Sequence, residues 1–590
     1  MKNPNLLGKF LKWRLRNLSQ NQFVLILSVI VGFTVGVAAV IIKNSVHFIQ
    51  LLLTKDFVKE YENYLYFAYP AIGILIAILF VKYFVRHHVR HGIPSVLYAI
   101  SKNNGIIKPH YMFSSVVTSA LTVGFGGSVG LEGPTVITGA SIGSNIGRLF
   151  RLEYKQITLL LGCACAGAIA AIFKAPIAAI VFAIEVIMLD LTMSSMIPLL
   201  LASATAALTS YAFLGQNVLY PLEVKETFQL NNFPYYILLG FLTGIVTVYF
   251  AKLYLFINKV FDRMNSWITR LIIGSTILGV LIFLFPSLYG EGYEVINLCL
   301  NGNYTYLFEN SLYFNYSNNF IIVLVLLFAV VIVKVIATSV TFGAGGIGGL
   351  FAPSLFLGSN TGLLFALFAN YFGAGLPLSN FALAGMGGTI AGINHAPLTA
   401  IFLIAEITGG YGLIVPLMIT SAIAYTTSKI FQKNSLNNIM LAKRGELITH
   451  HKDKAVLTLL KMERIIETDI KTITPEKTLG DLVKVISCSN RNIYAVIDEN
   501  KSLIGIVLLD HIRHLMFDQE LYKTILVSDL MVTPPNVVNV GDSMENIMKM
   551  FEESAAWNLP VVKGEEYIGF VSKSKIFSAY RKMLINFSDE

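Results

Sequence analysis

Glu132 has no acidic neighbour for a long way upstream: no Asp or Glu lies between Glu62 and it. Around it the chain reads GGSVGLEGPTVITGASIGS over residues 126–144, rich in glycine, with Pro134 two positions further on. Glycine lets a backbone approach a ligand closely. Pro is well tolerated in the first turn of a helix. A helix that starts here aims free N–H groups and the positive end of its dipole at one point, which makes an anion site without any cation. The Glu132 carboxylate can occupy such a site in place of the anion, then leave it when protonated or displaced. That is the chemistry of a gate, and an ionisable residue inside an apolar, membrane-like sequence is a functional group by default.

The stretch has a twin. TVGFGGSVGLEGPTVITGASIG (122–143) aligns with TFGAGGIGGLFAPSLFLGSNTG (341–362) at an offset of 219, matching the Thr, the glycine pattern, the Leu and the Pro. GAIAAIFKAPIAAIVFAIE (167–185) then aligns with GTIAGINHAPLTAIFLIAE (388–406) at an offset of 221. Two motifs in the same order at nearly one offset predict two related halves. Glu185 is matched by Glu406, so both are expected to serve a shared structural need such as a buried hydrogen bond. Glu132 is matched by Phe351 instead, which points to function rather than fold symmetry. RHGIPSVLYAI (90–100) is a third Gly-then-Pro helix start.

The elements that must hold these residues are membrane segments. The chain has 590 residues, 55% hydrophobic and only 13% charged, where a soluble domain carries about 25% charged residues. Runs such as 22–42, 66–84, 235–257 and 320–333 approach or reach the length of a transmembrane helix. Roughly ten to fourteen such segments are expected before residue 432, several broken by Gly or Pro. Broken segments at matching positions of two halves point to a transporter's midplane binding site. The first 22 residues carry five Lys or Arg and no acid, which predicts a cytoplasmic N-terminus. The net charge of +9 suits anionic lipid and does not oppose an anionic substrate. Nucleic acid is not expected as a partner, because the apolar run follows the basic arm at once. Cys163, Cys165, Cys299 and Cys488 form no disulfide framework and have no zinc spacing. No nucleophile elbow or zinc-spaced His/Glu motif supports an enzyme.

Three ordered motifs, HGIP (91–94), GLEGP (130–134) and GGLFAPSLFLG (348–358), resemble the signature segments of the CLC chloride channel and transporter family. The resemblance implies an α-helical polytopic membrane fold of two inverted repeats with broken helices, a pathway in each subunit and a homodimer in the bilayer. It implies chloride or a similar small anion as substrate and no required cofactor. Glu132 is then the external gating glutamate. His91, Gly92 and Ile93, with the backbone near Leu131, Glu132, Gly133, Leu350 and Phe351, are then anion ligands. His91 stands where the family usually has Ser; an imidazole N–H can donate to an anion, or the ring points elsewhere and the backbone binds alone. Leu131 replaces the family's Arg. The internal proton-relay glutamate of the family's exchangers falls on Val186, and its inner-gate Tyr aligns with Asn437. These departures favour a channel-like passive conductance. A proton-coupled antiporter is the alternative, and a non-transporting membrane sensor a further one.

After Arg444 charges become frequent, and two units of similar layout follow, 470–516 and 535–580. They resemble a pair of CBS domains, α/β modules that often follow CLC membrane regions in the cytoplasm. The expected divisions are a basic N-terminus 1–20, a transmembrane domain 21–445, a linker 446–463, and CBS domains at 464–519 and 526–585. Such pairs can bind adenine nucleotides. Here the ribose-binding Asp position holds His511, with Asp510 one step early, and Lys575 in the second unit. Asp510, Lys573 and Lys575 are the candidate nucleotide contacts, beside a purely dimerising role. The expected location is a plasma or inner membrane with the tail in the cytoplasm.

Overall fold

The computed structural model describes residues 6–53, 62–87, 89, 92–103, 105–187, 193–216, 228–309, 311–316, 319–443, 465–489, 491–542, 544–554 and 556–579. The chain divides into two compact units, Met1–Leu447 and Ile448–Glu590.

The first unit is helical. Its first half runs through α1 (Leu6–Asn17), α2 (Gln20–Leu53), α3 (Glu62–Phe80), α4 (Gly92–Lys102), α5 (Tyr111–Gly124), α6 (Glu132–Leu149), α7 (Tyr154–Phe173), α8 (Pro176–Glu185) and α9 (Met193–Leu214). Its second half runs through α10 (Phe233–Asp262), α11 (Trp267–Leu284), α12 (Tyr293–Leu300), α13 (Phe320–Gly343), α14 (Phe351–Tyr371), α15 (Leu378–Asn394), α16 (Pro397–Ile407), α17 (Ile414–Phe431) and α18 (Leu436–Lys443). Among the described residues nine helices are long and apolar enough to cross a membrane, and four more are apolar but shorter, including α8 and α16. A helix the length of α8, 10 residues, rises only about 15 Å, half of a bilayer core. Several of the apolar runs in the sequence are thus helices too short to span a bilayer by themselves.

The internal repeat is written into the backbone. Gly126 and Gly345, equivalent at the first offset, both take positive φ, at 92° and 103°. Lys174 and His395, equivalent at the second, both close their helices in the left-handed region, at 56° and 55°. The Ser128 N–H donates to Thr341 Oγ1 at 3.3 Å, and the Ile347 N–H donates to Thr122 Oγ1 at 3.1 Å. Each is the other's repeat mate. Gly130 and Gly349, also mates, pair antiparallel, their N–H groups donating to each other's carbonyls at 2.9 and 2.6 Å. Reciprocal bonds between equivalent residues are what a local two-fold axis relating the two halves produces.

The matched acids serve that symmetry. Glu185, at the end of α8, accepts the N–H groups of Leu398 and Thr399 at 3.2 and 2.7 Å and the Thr399 hydroxyl at 2.7 Å. Glu406, near the end of α16, accepts those of Ile177 and Ala178 at 3.1 and 2.8 Å. Each carboxylate satisfies the orphan N–H groups that open the other helix. Cys163, Cys165 and Cys299 are buried free thiols.

The second unit holds two sheets of one design. In the first, β1 (Thr472–Ile473) pairs parallel with β2 (Ile493–Ile497), which pairs antiparallel with β3 (Leu503–Leu508). In the second, β4 (Val538–Asn539), β5 (Asn558–Lys563) and β6 (Glu566–Ser572) repeat this order. An amphipathic helix, Leu479–Ser487 or Met544–Ser554, joins the parallel pair in each. Glu467 ties the two together: it accepts from Ser572 Oγ at 2.6 Å and pairs with Arg491.

Replacing Glu406 by Ala leaves two N–H groups without acceptors and should cost about 1–3 kcal/mol. A thermal unfolding midpoint in detergent lowered by several degrees is the expected result, and an unchanged midpoint would remove Glu406 as a structural cap.

Candidate functional site

Three helix starts meet at glycines. A Cβ on Gly92, the first residue of α4, would overlap the Gly133 carbonyl in the first turn of α6. A Cβ on Gly133 would lie 3.1 Å from the Gly349 Cα, and one on Gly349 would lie 2.7 Å from the Gly133 nitrogen. Only glycine allows backbones this close. The paired Gly130 and Gly349 fix the starts of α6 and α14 to each other. Helix geometry leaves the first-turn N–H groups of Glu132, Gly133, Phe351 and Ala352 without intrahelical acceptors. Pro134 and Pro353 follow at matching positions and bring no N–H to satisfy. Two positive helix ends and their free donors are therefore buried at one place, the environment that favours an anion.

The Glu132 carboxylate sits there. The residue is fully buried. Its Oε1 accepts from the Tyr293 hydroxyl. Its Oε2 lies over the glycine platform, so a Cβ on Gly349 would be 3.1 Å from it and one on Gly130 would overlap it. The N–H groups of Glu132 and Ala352 lie near enough to stabilise the carboxylate electrostatically, yet neither makes a hydrogen bond of ordinary geometry to Oε2. An anion mimic thus rests on two helix ends with one oxygen unbonded.

Gly92 and Ile93 are buried in the first turn of α4 beside this point. His91 lies outside the described residues. Leu131 and Leu350 immediately precede α6 and α14. The Phe351 ring is buried, 6.1 Å from the Phe173 ring and 5.8 Å from that of Phe182. Asn437, in α18, is also buried, and its Nδ2 donates to Asn394 Oδ1 at 3.3 Å. Val186 is buried just after α8 and carries no ionisable group. In the second unit Asp510 is exposed and pairs with Arg513 at 2.6 Å. Lys573 Nζ stands 5.8 Å from the Phe551 and Trp557 ring centroids, and Lys575 is exposed.

The structure adds residues that the sequence reading passed over. Tyr293 opens α12. Glu291, two residues earlier, has Glu132, Lys43 and Lys334 as its charged neighbours and approaches the Leu131 N–H. Lys43, on α2, donates to the Ile172 carbonyl at 2.7 Å. Lys334, on α13, is fully buried, donates to Ser128 Oγ at 2.8 Å and lies 4.5 Å from the Phe356 ring centroid. A signal existed for both lysines: each interrupts a long apolar run, VAAVIIKNSV or VVIVKVIATS, where an ionisable residue is costly unless used. YGEGYE (289–294) carried no comparable signal, because its two acids sit in an ordinary turn composition.

A family model described as voltage gated chloride channel matches residues 73–429, and a CBS domain model matches residues 462–518 and 527–582. The chain is 31% identical over 418 residues to an H(+)/Cl(-) exchange transporter ClcA of Vibrio campbellii, covering 68% of this chain and 84% of that protein. It is 30% identical over 366 residues to a putative chloride channel protein ClcB-like of Ralstonia nicotianae, covering 61% and 81%. In fold it resembles a slow cyanobacterial Cl-/H+ antiporter, with a TM-score of 0.63 at 22% identity over 72% of this chain and 99% of that one. It also resembles a eukaryotic CLC transporter, with a TM-score of 0.61 at 18% identity over 94% and 97%.

Tyr293→Phe deletes the one side-chain donor to Glu132 among the described residues and should ease the carboxylate out of its seat. Halide affinity, measured by calorimetry on the purified protein, is expected to rise roughly ten-fold, the scale of a hydrogen bond to a charged group. Unaltered affinity would mean that the phenol does not hold the carboxylate.

Proposed function

This chain belongs to the voltage-gated chloride channel family, and we propose that it carries chloride across the membrane along a pathway gated by the Glu132 carboxylate. One observation carries this reading: a fully buried carboxylate rests on the N-termini of α6 and α14, in the seat those helix ends offer to an anion. Chloride takes the seat once the carboxylate leaves, by protonation or by competition. The ligands are then the backbone around Leu131, Glu132, Gly133, Leu350 and Phe351, approached from the first turn of α4 at Gly92 and Ile93. His91 precedes that turn in sequence.

Passive conductance is the first reading for the flux. Val186 cannot hold a proton, and the small Asn437 amide, bonded to Asn394, offers a less bulky inner gate than a phenol. Proton-coupled exchange is the second. Several relatives carry the name of H(+)/Cl(-) exchange transporters, and Glu132 has a second acid, Glu291, and two buried lysines for neighbours.

Two further parts belong to the proposal. The chain works as a homodimer, and the exposed apolar Ile177 and Leu398 at the starts of α8 and α16 are surface that a second copy would cover. The N-terminus and the CBS pair lie in the cytoplasm. The tail is read first as a structural, dimerising pair; a nucleotide site built from Asp510, Lys573 and Lys575 is the second reading, with Asp510 exposed and paired to Arg513.

Chloride efflux from proteoliposomes, with pH recorded in the same sample, tests the gate and the coupling together. The expected result is efflux that needs a potassium shunt, moves no protons and speeds up in Glu132→Gln. Uphill proton movement driven by a chloride gradient, lost in that variant, would replace passive conductance with exchange. Efflux unaffected by Glu132→Gln would overturn the gate.

A further inference from the structure

Glu291 has no counterpart in the gate described so far. Its Oε1 is enclosed and has no hydrogen-bond partner. The residue as a whole is nevertheless partly exposed, where Glu132 is wholly buried. Its carboxylate approaches the N–H of Leu131, the residue that precedes α6 and offers one of the donors proposed for the anion. Gly292, with φ at 82°, makes the turn that puts Glu291 and the Tyr293 phenol on the same gate. A Cβ at Gly292 would crowd the Phe356 ring, at 2.6 Å.

The charges that face Glu291 come from several elements. Glu132 stands on α6, Lys43 on α2 and Lys334 on α13, and Lys174 acts in turn on Lys43. Tyr293 and the exposed Glu294 follow it on its own segment. Neither lysine forms an ion pair with either acid among the described residues: Lys43 is engaged by the Ile172 carbonyl and Lys334 by Ser128. Two carboxylates and two ammonium groups thus share one enclosed region, balanced in charge but not paired. An arriving chloride upsets that balance, and a proton restores it.

We infer that Glu291 is a second, proton-operated member of the gate, which blocks the anion while ionised and admits it once neutral. The inference rests on the reading of Glu132 as the gate. Ionised, Glu291 competes with the anion for the nearby Leu131 N–H and sets a negative charge beside the seat. Protonated, it adds no charge there. The proton comes from water on the accessible side, forms an O–H bond on the carboxylate, and returns to water when the anion has passed. The sign follows: with Glu132 permanently neutral, flux still rises as pH falls, because Glu291 still titrates.

The test uses the full chain in proteoliposomes with chloride as the probe and a potassium shunt, from about pH 5 to about pH 9. Glu132→Gln alone should show flux that grows roughly ten-fold on acidification, the scale of one removed like charge near an anion. Glu132→Gln with Glu291→Gln should be fast and flat across the range. Glu132→Gln with Glu291→Asp keeps a carboxylate and should keep a pH response with a displaced midpoint. A flat profile for Glu132→Gln alone overturns the role of Glu291, and so does a double Gln variant that titrates like its parent. If the Gln variant cannot be purified, an Asp variant whose profile superimposes on its parent overturns it as well. Failure of the gate itself reads differently: Glu132→Gln would then match the unmodified protein at every pH.

Discussion

Buried helix N-termini facing each other set the problem that the rest of this structure solves. Each start leaves N–H donors and half a positive charge, and an apolar membrane layer gives them no water. Something negative must stand in front of them. At the starts of α8 and α16, which reach the surface at Ile177 and Leu398, it is a permanent resident, the Glu406 or Glu185 carboxylate of the opposite half. At α6 and α14 it is Glu132, whose second oxygen lacks a hydrogen-bond partner. The same chemistry is therefore used twice, once made rigid by two or three bonds per carboxylate and once left with one firm bond so that a mobile anion can compete.

The two-fold axis supplies both uses from one motif. The related halves bring the equivalent starts of α6 and α14 nose to nose, as the reciprocal Gly130–Gly349 pair and the matching Ser128–Thr341 and Ile347–Thr122 bonds record. At the seat itself the symmetry is then broken in chemistry. Glu132 and Phe351 are mates, and a carboxylate on one side with an aromatic ring on the other gives the seat a removable plug and an apolar wall. Around it, Lys43, Lys334 and Glu291 have no mates of like charge. At the offset of the glycine-rich motifs Lys43 falls on Asp262, Lys334 on Ser115 and Glu291 on Ile72. Charge near the seat is in this way a local addition to a symmetric scaffold.

Much of this was legible in the sequence, for physical reasons. Glycine and proline at helix starts leave a mark that needs no partner to interpret, so the three convergent starts and the repeat could be read directly. The solitary acid was conspicuous because its surroundings were apolar. The caps were half legible: the Glu185–Glu406 match predicted a structural role, though not that each caps the other's partner helix. The side-chain environment of the gate was not legible. Tyr293 reaches Glu132 from 161 positions away, and no local pattern announces that meeting. The number of full spans was also obscured, because a short helix such as α8 has the composition of a whole span and only its length distinguishes it.

The central claim is that Glu132 occupies the anion's own seat. The most direct measurement is a crystal structure of the Glu132→Gln protein grown in bromide, with the anomalous signal of the halide located. The account predicts a bromide within hydrogen-bonding reach of the first-turn N–H groups of α6 and α14, where the carboxylate now lies. A bromide bound elsewhere, with that glycine platform still covered by the residue-132 side chain, would contradict it.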